Sequence, residues 1–223
     1  MTSKVKKQKS TLKRREPKGN KGRRTKQQIQ EAIIDLVSVD GLGLNEIKLD
    51  RICKKAGVTI GAFYFHFENK DAAIQETAID SLNEFKKELL SLPHEADLYS
   101  ELRKIILVYI GSLVRRPKAT QLLYAVIRNS PEVHKVYEDM HFEIADRMQR
   151  LISHTRAVAG RNEAESELIV EFLMAGIESF IENVFMWGNE RTSRLGKDPE
   201  LLAHKLAAMW VNIATTSLAH QEN

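Results

Sequence analysis

The chain has 223 residues, of which 43% are hydrophobic and 29% are charged. A chain of this length can bury a substantial core without cross-links, and its single cysteine, Cys53, excludes a disulfide framework and a four-cysteine zinc site. No apolar run reaches the roughly 18 residues of a membrane span, and the N-terminus is too charged for a secretory signal. The composition predicts a soluble cytoplasmic protein with no membrane partner.

The first segment of the chain carries a strong positive charge that the average hides. Residues 1–26 contain eight lysines and four arginines against Glu16 alone, a net charge of +11, whereas residues 27–223 carry a net charge of −7. Because residues 1–22 hold almost no apolar side chains, we expect them to form a basic disordered arm. Such an arm suits a polyanion, since each neutralised phosphate releases counterions. A solubilising tail and an anionic membrane surface are the alternatives.

The first predicted helices are closely spaced. Thr25 and Gln28 form a possible capping box at the start of the first, whose apolar residues recur at helical spacing. A short helix over 48–56 ends at Gly57, and Thr59 caps a third helix that runs to Phe67. Asn69 caps a fourth helix. Three short helices with a glycine turn between the last two suggest a helix-turn-helix.

The rest of the chain is also helical. The apolar pattern predicts helices over about 98–115, 118–129, 131–157, 163–187 and 199–219, with a loop over 188–198. We count about nine helices and no strand. The sequence therefore predicts an all-α fold, with an N-terminal three-helix helix-turn-helix domain and a larger helical domain.

One string in this region is distinctive: the turn Ile-x-x-x-Ala-Gly-Val at 52–58, the ending Tyr-x-His-Phe at 64–67, and Lys70 at the start of the next helix. With these spacings the sequence resembles the TetR family of transcriptional regulators over about residues 23–83. The resemblance implies a DNA-binding domain over 23–83, with its helix-turn-helix at 48–67. It also implies an effector-binding and dimerisation domain over 84–223.

A helix-turn-helix places its second helix in the major groove while flanking groups hold the phosphates. On the family pattern, Tyr64 reaches a phosphate and His66 a phosphate or a base edge. Lys70 adds a full charge to a helix N-terminus that already favours anions. The predicted DNA contacts are Lys48, Thr59, Ile60, Gly61, Ala62, Tyr64, Phe65, His66, Lys70, Arg23 and Arg24.

The residues in the first turn of this helix predict which bases the protein can recognise. Ile60 and Ala62 can touch a thymine methyl group but cannot make the bidentate hydrogen bonds that identify guanine or adenine. Only Thr59 and the backbone at Gly61 can hydrogen-bond there. We therefore expect an A·T preference with much indirect readout, aided by the basic arm in an adjacent minor groove.

The resemblance also implies the roles of the remaining helices. In the family the last two long helices, here 163–187 and 199–219, pair with their symmetry mates as a four-helix bundle, so we expect a homodimer on a palindromic operator. The middle helices are expected to surround a pocket for a small, mainly apolar effector. Its candidate lining residues, each of which can also be plain core, are Tyr109, Leu113, Tyr124, Ile127, Met140, Phe172, Met174 and Phe180.

Some residues are also compatible with a metal site or a reactive thiol. His134, Glu138 and His141 fall at i, i+4 and i+7 of one helix and could ligate a metal, although a solvated face is the expected outcome. Cys53 could be a reactive thiol, but packing explains it better. With no catalytic motif, we expect no catalytic residue, no metal, no cofactor and no enzyme activity. The leading hypothesis is a ligand-responsive homodimeric repressor, and the alternative is a low-specificity DNA-organising protein dominated by its arm.

Overall fold

The computed structural model describes residues 19–95, 97–153, 163–188 and 190–215. Over these residues the chain forms ten α-helices and no strand, with 3₁₀ turns at Leu44–Glu46 and Arg194–Lys197. The prediction of an all-α fold is confirmed. The helices are α1 Asn20–Ser38, α2 Leu49–Ala56, α3 Ile60–His66, α4 Lys70–Leu90, α5 Leu98–Arg115, α6 Pro117–Ile127, α7 Pro131–Ser153, α8 Glu163–Phe185, α9 Glu190–Ser193 and α10 Pro199–Thr215.

Helix α1 begins earlier than the sequence pattern predicts. It starts at Asn20, and Thr25 lies inside it, where its hydroxyl donates to the carbonyl of Lys21 at 3.0 Å. The predicted capping box at Thr25 is therefore wrong, because a backbone that is already helical leaves no cap for this hydroxyl to make. Residues 20–22, expected to be part of the arm, are helical, and residues 1–18 of that arm lie outside the described part of the chain.

Helices α1–α3 and the first half of α4 form what we call the head. Its core is apolar and tightly closed: Ile29, Ile33, Ile52, Phe63 and Phe67 have no exposed surface. The two phenylalanine rings lie 5.5 Å apart between their centroids. Because aromatic side chains bury large apolar areas, this pair holds α3 firmly against α1 and α2.

The remaining helices form what we call the body, built around α5, α7, α8 and α10. Its core is also mainly apolar, with Trp210 and Ile152 almost completely buried. It contains one buried ion pair, in which the Arg147 guanidinium donates to the carboxylate of Glu101. The same guanidinium donates to the carbonyl oxygens of Leu92 and Pro93 at 3.3 Å, so it holds the α4–α5 connection against α7.

Helix α6 belongs to both parts. Leu122 and Val126 are buried in the core of the head, together with Val133 at the start of α7. Leu123, on the same helix, packs against both hydrophobic cores. A displacement of α6 therefore has to move packed side chains in the head and in the body together.

The structure corrects one loop and leaves two helix ends untested. The predicted loop 188–198 contains α9 and a 3₁₀ turn, which explains why ten helices are found where about nine were expected. The predicted ends of the long helices near 157 and 219 lie outside the described residues. In the part of the chain that the structure describes, no helix is both long enough and apolar enough to cross a bilayer.

Candidate nucleic-acid interface and effector cavity

The turn between α2 and α3 is built by Gly57 and Thr59. Gly57 ends α2 with a φ of 66°, a left-handed conformation that a side chain disfavours, and its N–H donates to the carbonyl oxygens of Cys53 and Lys54. The Thr59 hydroxyl then accepts from the N–H of Ala62 at 3.1 Å and caps α3, as the sequence predicts. The next cap is also as predicted, because Asn69 accepts from the N–H of Ala72 at 2.8 Å.

Helix α3 has one face in the core and one face in solvent. Phe63 and Phe67 are fully buried, whereas the exposed fractions of Ile60, Tyr64 and Phe65 are 53%, 51% and 65%. Exposed large apolar side chains on so short a helix are unusual for a surface that meets only water. The three exposed side chains and the backbone of Gly61 thus form a surface on which a second macromolecule can lie. We call it the α3 face.

Three of the four predicted basic DNA contacts are exposed side chains on the head. Arg23 and Arg24 are exposed on α1, and Lys48 is exposed at the N-cap of α2, where its side chain makes no capping hydrogen bond. Lys70 is half-buried, with its Nζ 3.3 Å from the carbonyl oxygen of Leu44 and 3.5 Å from a carboxylate oxygen of Asp71. These two contacts hold the ammonium group of Lys70 in place.

His66 ends α3 and is half-buried. Burial, and then the charge of Lys26, lower the pKa of the His66 imidazole below its ordinary value. The surroundings therefore favour the neutral form of the ring. A neutral imidazole presents one donor and one acceptor, so His66 is suited to hydrogen bonding rather than to charge pairing.

A cavity of about 340 Å³ lies in the body, bounded by α4, α5, α6, α7, α8 and α10. Most of its lining is aliphatic or aromatic, and this volume falls in the range of small-molecule sites. Six of the eight predicted pocket residues line it: Tyr109, Leu113, Tyr124, Ile127, Met140 and Met174.

Two predicted pocket residues lie elsewhere. Phe172 has 70% of its surface exposed on the outer side of α8, and Phe180 packs against the body core without lining the cavity. Both follow the helical repeat of α8, but that repeat does not tell which apolar face points inward, because α8 is apolar on more than one side. Phe172 is therefore corrected from pocket to surface.

The polar wall of the cavity was missed at the level of sequence. Tyr109 and Tyr124 both donate to the carboxylate of Glu182, the first at 3.1 Å, and Tyr137 donates to Glu178 at 2.9 Å. Glu178 and all three tyrosines line the cavity. We call these five residues the acidic wall. Its sequence signal is the spacing of Glu171, Glu178 and Glu182 at i, i+7 and i+11, which places three carboxylates on one face of a helix that is mainly apolar after Leu168.

His141 lies against the same wall. Its Nε2 is 2.9 Å from Glu171, and its Nδ1 is 3.9 Å from Glu178, an ion-pair distance too long for a hydrogen bond. The neighbouring Glu178 and Glu171 carboxylates raise the pKa of this imidazole to about 9. Burial raises the pKa of each tyrosine of the wall well above the ordinary value, and the neighbouring glutamates raise it further, so the phenols stay neutral.

The three residues weighed as metal ligands do not converge. His134 pairs with Glu138 at 3.2 Å on the exposed side of α7, whereas His141 points to the two glutamates of α8. In the described ranges no group of three or more histidine, cysteine or acidic side chains is arranged to hold a metal ion. Cys53 is buried in the head core, and burial raises the pKa of its thiol.

Helices α8 and α10 expose apolar side chains. Leu168 and Phe172 on α8 are 69% and 70% exposed, and Met209 and Ile213 on α10 are 59% and 47% exposed. At Gly176, further along the exposed face of α8, an added Cβ would meet no atom of the chain within 4 Å. The other described residues leave these apolar side chains exposed, and we call them the α8/α10 face.

Comparison with known proteins identifies the helix-turn-helix. Residues 42–77 match the family model described as bacterial regulatory proteins, tetR family. The HTH-type transcriptional regulator AcrR of Shigella flexneri is 30% identical over 148 residues, which cover 59% of this chain and 67% of that protein. The probable acrEF/envCD operon repressor of Escherichia coli K12 is 26% identical over 190 residues, covering 81% of this chain and 86% of that protein.

The fold is shared as well. The structure of the regulator FadR from Bacillus subtilis in complex with stearoyl-CoA superposes with a TM-score of 0.62 at 14% identity, covering 83% of this chain and 97% of that one. Residues 42–77, which match the family model, contain the glycine turn, the capped helix α3 and the α3 face. The chain belongs to the TetR family of transcriptional regulators.

Proposed function

We propose that this regulator is a ligand-responsive homodimeric repressor, which binds a palindromic operator through helix α3 and releases it when a small, mainly apolar effector fills the body cavity. The observation that carries the proposal is the division of α3. Two phenylalanines anchor the helix in the head, whereas Ile60, Tyr64 and Phe65 are exposed to solvent. The name of the Escherichia coli relative, a probable operon repressor, supports repression over activation.

The α8/α10 face supports the dimer. Leu168, Phe172, Met209 and Ile213 are too exposed for a surface that meets only water, and Gly176 leaves room for a second helix to approach closely. A two-fold axis through this face would present two α3 helices to half-sites about one DNA turn apart. Phe172→Glu is expected to yield monomers by light scattering. Val114→Glu, which changes a 56% exposed residue of α5, is the matched control and is expected to stay dimeric.

The cavity supports the response to a ligand. Tyr124 and Ile127 line it from α6, the helix that also places Leu122 and Val126 in the head core. A ligand that displaces α6 therefore changes packing in the head. The neighbour crystallised with stearoyl-CoA supports an effector with a long apolar part.

Binding-site selection tests the DNA part of the proposal. The full chain and a chain lacking residues 1–18, which keeps all of α1, are each used to select from a random duplex pool at about 150 mM salt. An A·T-rich palindrome enriched by both proteins is the expected result. If no motif is enriched, and affinity collapses when residues 1–18 are removed, the repressor is replaced by a DNA-organising protein.

A further inference from the structure

The acidic wall has a consequence for the charge of the effector. Glu178 and Glu182 are half-buried, and the groups that hydrogen-bond them inside the wall are neutral phenols. Within the described residues, Glu182 has no cationic side chain at ion-pair distance. Carboxylates removed from water need compensation, because desolvation of a charge costs several kcal/mol.

The compensation available among the residues that the structure describes is incomplete. His141 is the cation that contacts this region, and it is shared between Glu171 and Glu178. One positive charge thus faces three carboxylates on a single face of α8. Since the three phenols are neutral, the negative charge on this face of α8 exceeds the positive charge, and Glu178 brings part of it to the lining of a mostly apolar cavity.

The basic side chains at the cavity are placed differently. Arg116, Arg128 and His134 line it but are exposed, and two of them are already paired, Arg116 with Glu84 at 2.7 Å and His134 with Glu138 at 3.2 Å. Exposed charges are hydrated and screened by salt, whereas half-buried ones are screened much less. The acidic wall therefore dominates the field that a bound ligand meets.

Aromatic rings add to the same preference. Phe85 and Tyr109 both line the cavity, with 5.7 Å between their ring centroids. The faces of such rings attract cations within about 6 Å, most strongly where water is excluded. Carboxylates and aromatic rings thus favour the same kind of head group.

We propose that the cavity takes an apolar ligand carrying one positive charge, with its ammonium-type head against Glu178 and beside Tyr109 and Tyr124, the cavity tyrosines that donate to Glu182, and its apolar part among the aliphatic side chains. This inference rests on the proposed effector role of the cavity and adds the charge of the effector. A molecule of this kind would replace the missing counter-charge, which neither a neutral nor an anionic molecule of the same length can do.

Titration calorimetry with three ten-carbon probes tests the proposal on the full chain without DNA. Decylammonium, 1-decanol and decanoate share a chain length and differ in head-group charge. At pH 7 and about 150 mM salt, decylammonium is expected to bind at least about tenfold more tightly than either of the others, because hydrogen bonds to charged groups contribute more than neutral ones. Equal or tighter binding of 1-decanol or decanoate, or no binding of any probe, overturns the proposal.

Variants of the wall locate the head group. Glu182→Gln and Glu178→Gln keep the shape and an oxygen acceptor for the tyrosines, and each is expected to weaken decylammonium binding about tenfold with little effect on 1-decanol. Glu167→Gln, an exposed change on the same helix, is the matched control and is expected to bind as the unchanged chain does. Unaltered decylammonium affinity in both wall variants also overturns the proposal.

A separate measurement distinguishes this inference from the effector role. Release of the selected operator by decylammonium is followed with labelled DNA. If the cation binds in the wall-dependent way but the operator stays bound, the charge preference stands and the effector role fails. If the wall variants bind the cation normally, the charge preference fails whatever happens to the DNA.

Discussion

The head and the body of this protein are packed in opposite ways. The head closes its core on Phe63 and Phe67, which have no exposed surface, and shows its remaining aromatic side chains to solvent on α3. The body leaves a cavity of about 340 Å³ inside its core and lines part of it with hydroxyl and carboxylate groups. The difference indicates that the head is built to hold a rigid external surface, whereas the body is built to be filled.

The largest expected effect tests the closed core of the head. Phe63→Ala should lower the free energy of unfolding by about 3–5 kcal/mol, because the Phe63 side chain is fully buried and its removal leaves a cavity in the core. Phe65→Ala, two positions along the helix and 65% exposed, should change stability by less than about 0.5 kcal/mol while weakening operator binding. Urea unfolding and DNA titration of both variants separate the two faces of α3. Equal destabilisation by the two changes would contradict the division.

A smaller effect is expected in the body, from the titration of His141. Its pKa in the folded chain is raised from 6.5 to about 9, so the stabilisation it provides is complete below about pH 6.5 and is lost as the pH rises through 9. The free energy of unfolding, measured with urea, should therefore be lower at pH 9 than at pH 6.5. This difference should be smaller in His141→Gln. His134→Gln, a change at an exposed histidine of the same helix, should leave the decline as it is. If the decline with pH is the same in both variants as in the unchanged chain, the carboxylates do not stabilise the protonated imidazole of His141.

The next effect concerns Gly61 on the α3 face. A Cβ built there would meet nothing closer than the Thr59 hydroxyl at 4.0 Å, so the folded head does not need a glycine at this helical position. Gly61→Ala should raise the free energy of unfolding by up to about 1 kcal/mol and still weaken operator binding, since the added methyl group keeps the backbone away from the DNA. Thermal unfolding and DNA titration together check this. Unchanged DNA affinity would show that the backbone does not approach the groove at this point.

The smallest effect is expected at Ile60. Its exposed side chain can touch a thymine methyl group but forms no hydrogen bond with a base, so Ile60→Ala should cost little affinity and should relax preference at one base step. Selection with the variant and with the unchanged chain gives the two motifs. A loss of about 3 kcal/mol or more would mean that apolar contacts carry much more of the recognition than the sequence indicates.

The sequence predicted the head better than the body, for physical reasons. The caps at Thr59 and Asn69 and the turn at Gly57 depend on local hydrogen bonds and backbone conformation, which neighbouring residues determine. The start of α1 was missed because basic residues are compatible both with a disordered arm and with a helix.

In the body the difficulty was the choice between faces. On α8 the apolar residues surround much of the helix, so periodicity could not tell that Met174 points to the cavity and Phe172 to solvent. The acidic wall depends on tyrosines from α5, α6 and α7 meeting glutamates of α8. Contacts among four helices far apart in sequence are fixed by tertiary packing alone.

The sharing of α6 also determines how the chain can be divided. Leu122, Val126 and Val133 complete the core of the head, although they lie well beyond the predicted domain boundary at 83. A fragment that ends at residue 83 would expose the apolar surfaces these side chains cover and would cut α4 in its second half. Excision at that boundary should therefore give a poorly folded peptide, and an isolated DNA-binding fragment would have to retain the chain through at least the first turn of α7.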